Sequence, residues 1–247
     1  MFDPNCVCFF DTTLRDGEQA AGVNLNAAEK LQIAKHLEKM RVDVIEAGFP
    51  AASPGDFKCV QDISRELKKT RVCGLARTRE GDVRAAAQAL AQAENPRLHV
   101  FLATSPIHME HKLKMTPEEV LAETRAGVSL ARSLMAEVEF SAEDASRSDI
   151  GFLIKVFKVA VESGATILNI PDTVGYAMPD EFHRLCKAVI DGVGAPPSVI
   201  YSVHAHDDLG LATANSLAAI RAGVRQVEGT INGMGERGGN SAIEEVA

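Results

Sequence analysis

Two histidines two residues apart, His204 and His206, close an apolar run at Val199–Val203. Side chains alternate faces along a strand, so both imidazoles point the same way. Two imidazoles aimed into one polar cavity suit a transition-metal or divalent cation, and Asp207 or Asp208 could orient a ring or a substrate. An exposed histidine pair in a polar loop is the plainer alternative. Near the other end of the chain, Arg15 and Asp16 follow the run Val7–Phe10. The Asp16 carboxylate could complete a cation site, and the adjacent guanidinium could hold a carbonyl or carboxylate in its fixed fork. A surface ion pair would use the same two residues. Glu143, after Glu137–Phe140, is a candidate acid, base or substrate-orienting group. Its inward or outward direction is open by one residue, and a solvated loop carboxylate is the alternative.

Gly233, Gly235 and Gly238 have the GxGxxG spacing of dinucleotide-binding loops. That motif needs a following βαβ unit and an acidic residue about 20 positions on, and the sequence stops sooner. What remains is a flexible loop whose exposed N–H groups could hold an anion. Asn240 closes the loop and could offer its amide oxygen to a metal.

These residues need a frame that brings them together. Strand-length apolar runs recur at Val7–Phe10, Val42–Ala47, Val72–Leu75, Leu98–Leu102, Glu137–Phe140, Thr166–Ile170, Val199–Val203 and Arg225–Ile231. Segments of helical spacing lie between them, including Ala27–Met40, Asp82–Ala93, Pro117–Leu134, Ile150–Ser163 and Leu209–Ala222. Asn26 with Glu29, Thr116 with Glu119, and Ser148 are start signals. Gly164, Gly223 and the Met40–Arg41 junction are stops. Eight strands alternating with helices predict a parallel sheet, and eight is the number that closes a (β/α)₈ TIM barrel; an open doubly wound sheet is the rival. The polar candidates all follow strands rather than precede them, and a closed barrel gathers those ends on one rim. Residues 1–247 read as one catalytic barrel domain. Ser241–Ala247 read as the first turns of an eighth helix, so part of that helix is expected to be missing and the chain to be a piece of a longer protein.

The 247 residues are 46% apolar and 24% charged, the balance of a globular protein with ample core. A net charge of −8 argues against nucleic acid or an anionic membrane as main partner. The five cysteines, Cys6, Cys8, Cys59, Cys73 and Cys186, are scattered without a CxxC pair and read as free thiols of a reducing compartment. Met1–Cys8 lack the basic-then-apolar pattern of a secretory leader, and Lys155 and Lys158 interrupt the most apolar stretch. A cytoplasmic protein is expected.

Several segments in register carry a resemblance that spans essentially the whole chain. They are Phe10–Gln19 (FDTTLRDGEQ), Ile45–Pro50 (IEAGFP), Asn169–Gly175 (NIPDTVG), His204–Gly210 (HAHDDLG) and Gly235–Asn240 (GERGGN). Together they resemble the DRE-TIM metallolyase superfamily, which includes isopropylmalate, homocitrate and citramalate synthases and hydroxymethylglutaryl-CoA lyase. Glu46–Phe57, His99–Ser105 and Lys112–Met115 bring the similarity closest to the isopropylmalate synthase family. Two departures stand out: Gly229 where a cysteine is expected, and Ala205 where cysteine is frequent.

The resemblance implies a metal-dependent Claisen condensation of acetyl-CoA with 3-methyl-2-oxobutanoate, followed by thioester hydrolysis to 2-isopropylmalate and CoA, the first step of leucine biosynthesis. It implies that Asp16, His204 and His206 bind one divalent cation (Mn²⁺, Mg²⁺ or Zn²⁺), with Asn240 as a further oxygen ligand. Arg15 would polarise the ketone, Thr173 would hold the 2-oxo acid carboxylate, and His99, Ser141 and Asn169 would discriminate among substrates. Glu143 would be the third member of the superfamily's Asp-Arg-Glu signature. The family's linker region, which completes the acetyl-CoA site across a homodimer, and its leucine-sensing regulatory domain are expected to lie outside this sequence. A homocitrate or citramalate synthase, an acyl-CoA carbon–carbon lyase, and an inactive fragment that binds metal and 2-oxo acid are the alternatives.

Overall fold

The computed structural model describes residues 6–247; Met1–Asn5, part of the stretch read above for a leader, lie outside the described residues. Eight parallel strands close into a barrel in chain order. They are β1 (Cys8–Asp11), β2 (Val44–Glu46), β3 (Arg71–Arg77), β4 (Pro96–Ala103), β5 (Val138–Glu143), β6 (Ile167–Asp172), β7 (Ile200–Ala205) and β8 (Gln226–Gly229). β8 returns to β1 with Phe10 opposite Glu228, which closes the ring. Around it lie α1 (Ala27–Met40), α2 (Pro54–Glu66), α3 (Glu80–Ala89), α4 (Pro117–Leu134), α5 (Ile150–Glu162), α6 (Pro179–Val193), α7 (Ala212–Ala222) and α8 (Ile243–Val246). The expected (β/α)₈ barrel is therefore the observed fold. Among the described residues, no helix is long and apolar enough to cross a membrane.

The helices begin and end where local chemistry dictates. Asn26 and Thr116 each form a capping box, with Glu29 and Glu119 reaching back to the cap backbone. At α5 the cap is Asp149, not Ser148: its carboxylate accepts the Phe152 N–H at 2.8 Å. Arg41 ends α1 in the left-handed region at φ 65°, the role expected of the Met40–Arg41 junction.

Alternation along the strands separates two interiors. On β5, Val138, Phe140 and Ala142 join the large apolar layer between sheet and helices. Glu139 and Ser141 face the barrel axis, where they meet Arg97 and His99. This resolves the open register of the strand and carries Glu143 to the mouth. Within the axis Cys8, Phe10, Val44 and Cys73 form a small apolar cluster, beside which a polar network is packed. Arg97, wholly buried, donates to Glu139 Oε2 at 3.0 Å, Gln226 Oε1 at 2.7 Å and Glu137 Oε1 at 2.9 Å. An ion buried without such partners would cost several kcal/mol, so this network is satisfied as a unit.

Candidate active site

Asp16 reaches the rim because the chain turns sharply after β1. The N–H groups of Arg15, Asp16 and Gly17 all donate to the Thr12 carbonyl. Across the mouth, His204 and His206 leave the end of β7. The three residues are buried, with one ligand atom each lying within 4.8 Å of the others. Asp16 Oδ2 is 3.3 Å from His204 Nε2 and 3.6 Å from His206 Nε2, and the two Nε2 atoms are 3.1 Å apart. Burial, reinforced by His204, lowers the His206 imidazole to about 3, so its lone pair is free at neutral pH. Burial works to raise the Asp16 carboxyl, but Arg15 and His204 outweigh it and hold the group far below the usual carboxylate range. Asn240 pairs with His206 in an isolated bridge; its Nδ2 donates to the Met234 carbonyl while its Oδ1 has no hydrogen-bond partner.

Behind this cluster runs a chain of oriented hydrogen bonds. Arg15 Nε donates to Glu46 Oε2 at 2.7 Å and its Nη1 to Asp16 Oδ1 at 2.9 Å. The Thr12 hydroxyl also donates to Glu46 Oε2, and Glu46 Oε1 meets His99 Nδ1 at 2.7 Å. Burial works to raise Glu46, yet Arg15 and His99 bring it down to about 2. An ionised Glu46 makes Nδ1 of His99 the donor and leaves Nε2 to accept from the Ser141 hydroxyl at 2.6 Å. Asn169 Nδ2 in turn donates to Ser141 Oγ at 2.7 Å. The three residues expected to discriminate substrates thus form one connected wall.

A cavity of about 520 Å³ opens at the strands' C-terminal ends, lined by Arg15, Asp16, His99, Glu143, Thr173 and His204 among others. Glu143 lines the same cavity as Arg15 and Asp16, and its carboxylate pairs with Lys112 at 2.6 and 2.8 Å. The glutamate in contact with Arg15 is Glu46, because β2 ends directly beside β1. Thr173 lines the cavity while its hydroxyl accepts the Asp144 N–H at 2.9 Å. Neither Asp207 nor Asp208 orients a histidine ring; Asp207 accepts the Ala212 N–H and Asp208 pairs with Arg237. The glycine loop turns donors inward: the N–H groups of Gly233, Met234, Gly239 and Asn240 bond within the loop region.

Residues 6–247 match the family model described as HMGL-like. The chain belongs to the HMGL-like family. Among curated relatives, this HMGL-like chain is 57% identical to a 2-isopropylmalate synthase of Heliobacterium modesticaldum, aligned over 97% of the chain and 47% of the relative. It is 54% identical to one from Campylobacter fetus subsp. fetus, over 99% and 48%, and 57% identical to one from Aquifex aeolicus, over 97% and 46%. The chain thus spans about half the length of these relatives. Solved HMG-CoA lyases share the fold. That of Pseudomonas aeruginosa superposes with a TM-score of 0.82 at 22% identity, covering 98% of this chain and 84% of that one. That of Brucella melitensis gives 0.81 at 20%, covering 98% and 88%.

The donor set of the HMGL-like barrel fits a divalent cation. Two imidazole nitrogens and a carboxylate oxygen converge, and the orphaned oxygens Asp16 Oδ2 and Asn240 Oδ1 are what a hard or borderline cation would satisfy. Sequence reading passed over Glu46, Lys112, Arg237 and Glu228. Of these, Glu46 carried a signal, since it ends a strand inside a recognisable motif. Gly229, which replaces the expected cysteine, has a steric reason: a β-carbon there would lie 2.4 Å from the Ser241 carbonyl oxygen.

Proposed function

We propose that residues 1–247 form the catalytic barrel domain of a 2-isopropylmalate synthase, which condenses acetyl-CoA with 3-methyl-2-oxobutanoate. The convergence of Asp16, His204 and His206 beside Arg15 at the mouth of the cavity carries this reading. Identity of 54–57% to relatives bearing that name supports the choice of substrate.

Asp16, His204, His206 and Asn240 would hold the divalent cation, of which Mn²⁺ is the first candidate. When bound, it supplies Lewis acidity toward the ketone oxygen of the 2-oxo acid. The chain's own groups do the remainder. Arg15, fixed through Nε by Glu46 and through Nη1 by Asp16, presents its guanidinium to the cavity, where it donates to the oxygen that gains charge. Thr173 binds the substrate carboxylate. His99, Ser141 and Asn169 face the side chain; the Ser141 hydroxyl binds both the His99 ring and the Asn169 amide nitrogen, while Asn169 Oδ1 has no partner. In the condensation, the acetyl methyl loses a proton and bonds to the ketone carbon, whose carbonyl electron pair moves to oxygen and is protonated. Water then cleaves the thioester, releasing CoA. Glu143, held by Lys112 at the cavity edge, is placed to pass a proton.

A homodimer and a cytoplasmic location belong to the same proposal. Tyr176, Met178 and Leu209 leave large apolar side chains exposed on the β6–α6 and β7–α7 connections, which suits a protein partner at the rim.

Protein supplied with Mn²⁺, acetyl-CoA and a panel of 2-oxo acids tests the reading by CoA release. The fastest release is expected with 3-methyl-2-oxobutanoate. Preference for pyruvate or 2-oxoglutarate would replace it with a citramalate or homocitrate synthase. Cleavage of a hydroxyacyl-CoA, without condensation, would replace it with a lyase.

A further inference from the structure

We propose that Glu228 is a positioning residue for the cation centre: its side-chain oxygen accepts the Nδ1 proton of His204 and fixes that ring's tautomer and direction. The inference rests on reading Asp16, His204 and His206 as a cation centre. His204 on β7 and Glu228 on β8 are Cα partners in the barrel, so their side chains leave adjacent strands at the same height. Both are buried. His204 Nε2 lies 3.3 Å from Asp16 Oδ2, while Nδ1 of the same ring lies 3.5 Å from Glu228 Oε2. One ring nitrogen therefore faces the centre and the other faces Glu228.

A ring that offers Nε2 to a cation carries its proton on Nδ1, and that proton needs an acceptor. His204 Nδ1 has no hydrogen-bond partner in this structure, and among the described residues Glu228 is the carboxylate that comes within 4.0 Å of it. Asp207 and Asp208, the nearest acids in sequence, are engaged by Ala212 and Arg237.

The Nδ1 proton needs an acceptor oxygen rather than a charge. Glu228 shares the barrel axis with Glu139 and Glu46; Glu139 is held by Arg97 and Gln226, and Glu46 by Arg15. Glutamine has the same length and keeps an acceptor oxygen.

The test compares Glu228→Gln and Glu228→Leu with the unaltered protein in a Mn²⁺ titration followed by the electron paramagnetic resonance of free Mn²⁺, with circular dichroism to establish folding. E228Q is expected to bind within about threefold of the unaltered protein, and E228L about 10–100-fold more weakly, the cost of losing an outer hydrogen-bond partner. A merely structural role would change the melting temperature of both variants and the Mn²⁺ affinity of neither. Undiminished binding by folded E228L, or a loss in E228Q equal to that in E228L, overturns the proposal. If E228L does not fold, ¹⁵N spectra of the unaltered protein with Zn²⁺ decide: protonated Nδ1 on His204 is expected, and protonated Nε2 overturns the proposal. Absence of Mn²⁺ and Zn²⁺ binding in the unaltered protein is a different failure, because it removes the cation centre itself.

Discussion

At the scale of single residues, the site is built from groups whose ordinary behaviour is altered by what lies within 4 Å of them. His204 and His206 face each other and Asp16 with their lone pairs directed inward. Replacing one imidazole by methyl removes one of the four proposed donors and with it the support for a tightly held cation. His204→Ala is therefore expected to lose stoichiometric Mn²⁺, measured by elemental analysis after dialysis, while its circular dichroism stays unchanged; retained metal would remove His204 from the centre. Asp11 offers a separate, pH-dependent test. Its carboxyl accepts the Thr13 N–H and hydroxyl, but burial is the larger influence and lifts it to about 7. The folded chain then keeps a proton that the unfolded chain releases near pH 4. Stability from this group is present below pH 4 and is lost as pH rises toward 7. Asp11→Asn should flatten that part of a urea-denaturation series, and an unchanged slope would mean that Asp11 is already ionised.

At the scale of elements, each strand hands its last residues to the rim and each connection fixes how they arrive. The segment after β8 folds back so closely that Gly235 touches Asn240: a β-carbon at Gly235 would sit 2.1 Å from Asn240 Nδ2. Gly235→Ala must push the amide aside, so it should weaken Mn²⁺ binding by roughly tenfold, on the scale of a displaced ligand shell. Isothermal titration would read the change, and affinity equal to the unaltered protein would show that Asn240 is not a ligand. The loop's glycine spacing resembles a nucleotide-binding signature, yet its glycines serve close packing against Asn240 and Asp207. Spacing alone does not distinguish those uses, because both need residues without side chains.

At the scale of the whole molecule, closure of the sheet decides what solvent reaches. Cys8 and Cys73 lie within the barrel axis and Cys186 lies on the buried face of α6; Cys6 is exposed and Cys59 half-buried. Burial raises the thiol pKa of Cys186 to about 12, and it pushes Cys8 and Cys73 up as well. Titration with a thiol reagent should label Cys6 and Cys59 in the native state, Cys59 more slowly, and the remaining three only on denaturation. Rapid labelling of all five would mean that the barrel opens easily.

The sequence by itself determined the barrel, because a strand period of two and a helix period of 3.6 are local properties of the chain. It also placed Asp16, His204 and His206 on one rim, since all lie at or just after strand ends, and the family resemblance grouped them as one ligand set. What it left open was which carboxylate serves which partner. Glu46, Glu143 and Glu228 all sit at or near the ends of strands, and one-dimensional order does not tell them apart. Only the folded barrel put Glu46 against Arg15, set Glu143 against Lys112 and brought Glu228 beside His204. Those contacts join residues 24 to 31 positions apart, and their geometry exists only once strand register and shear are fixed.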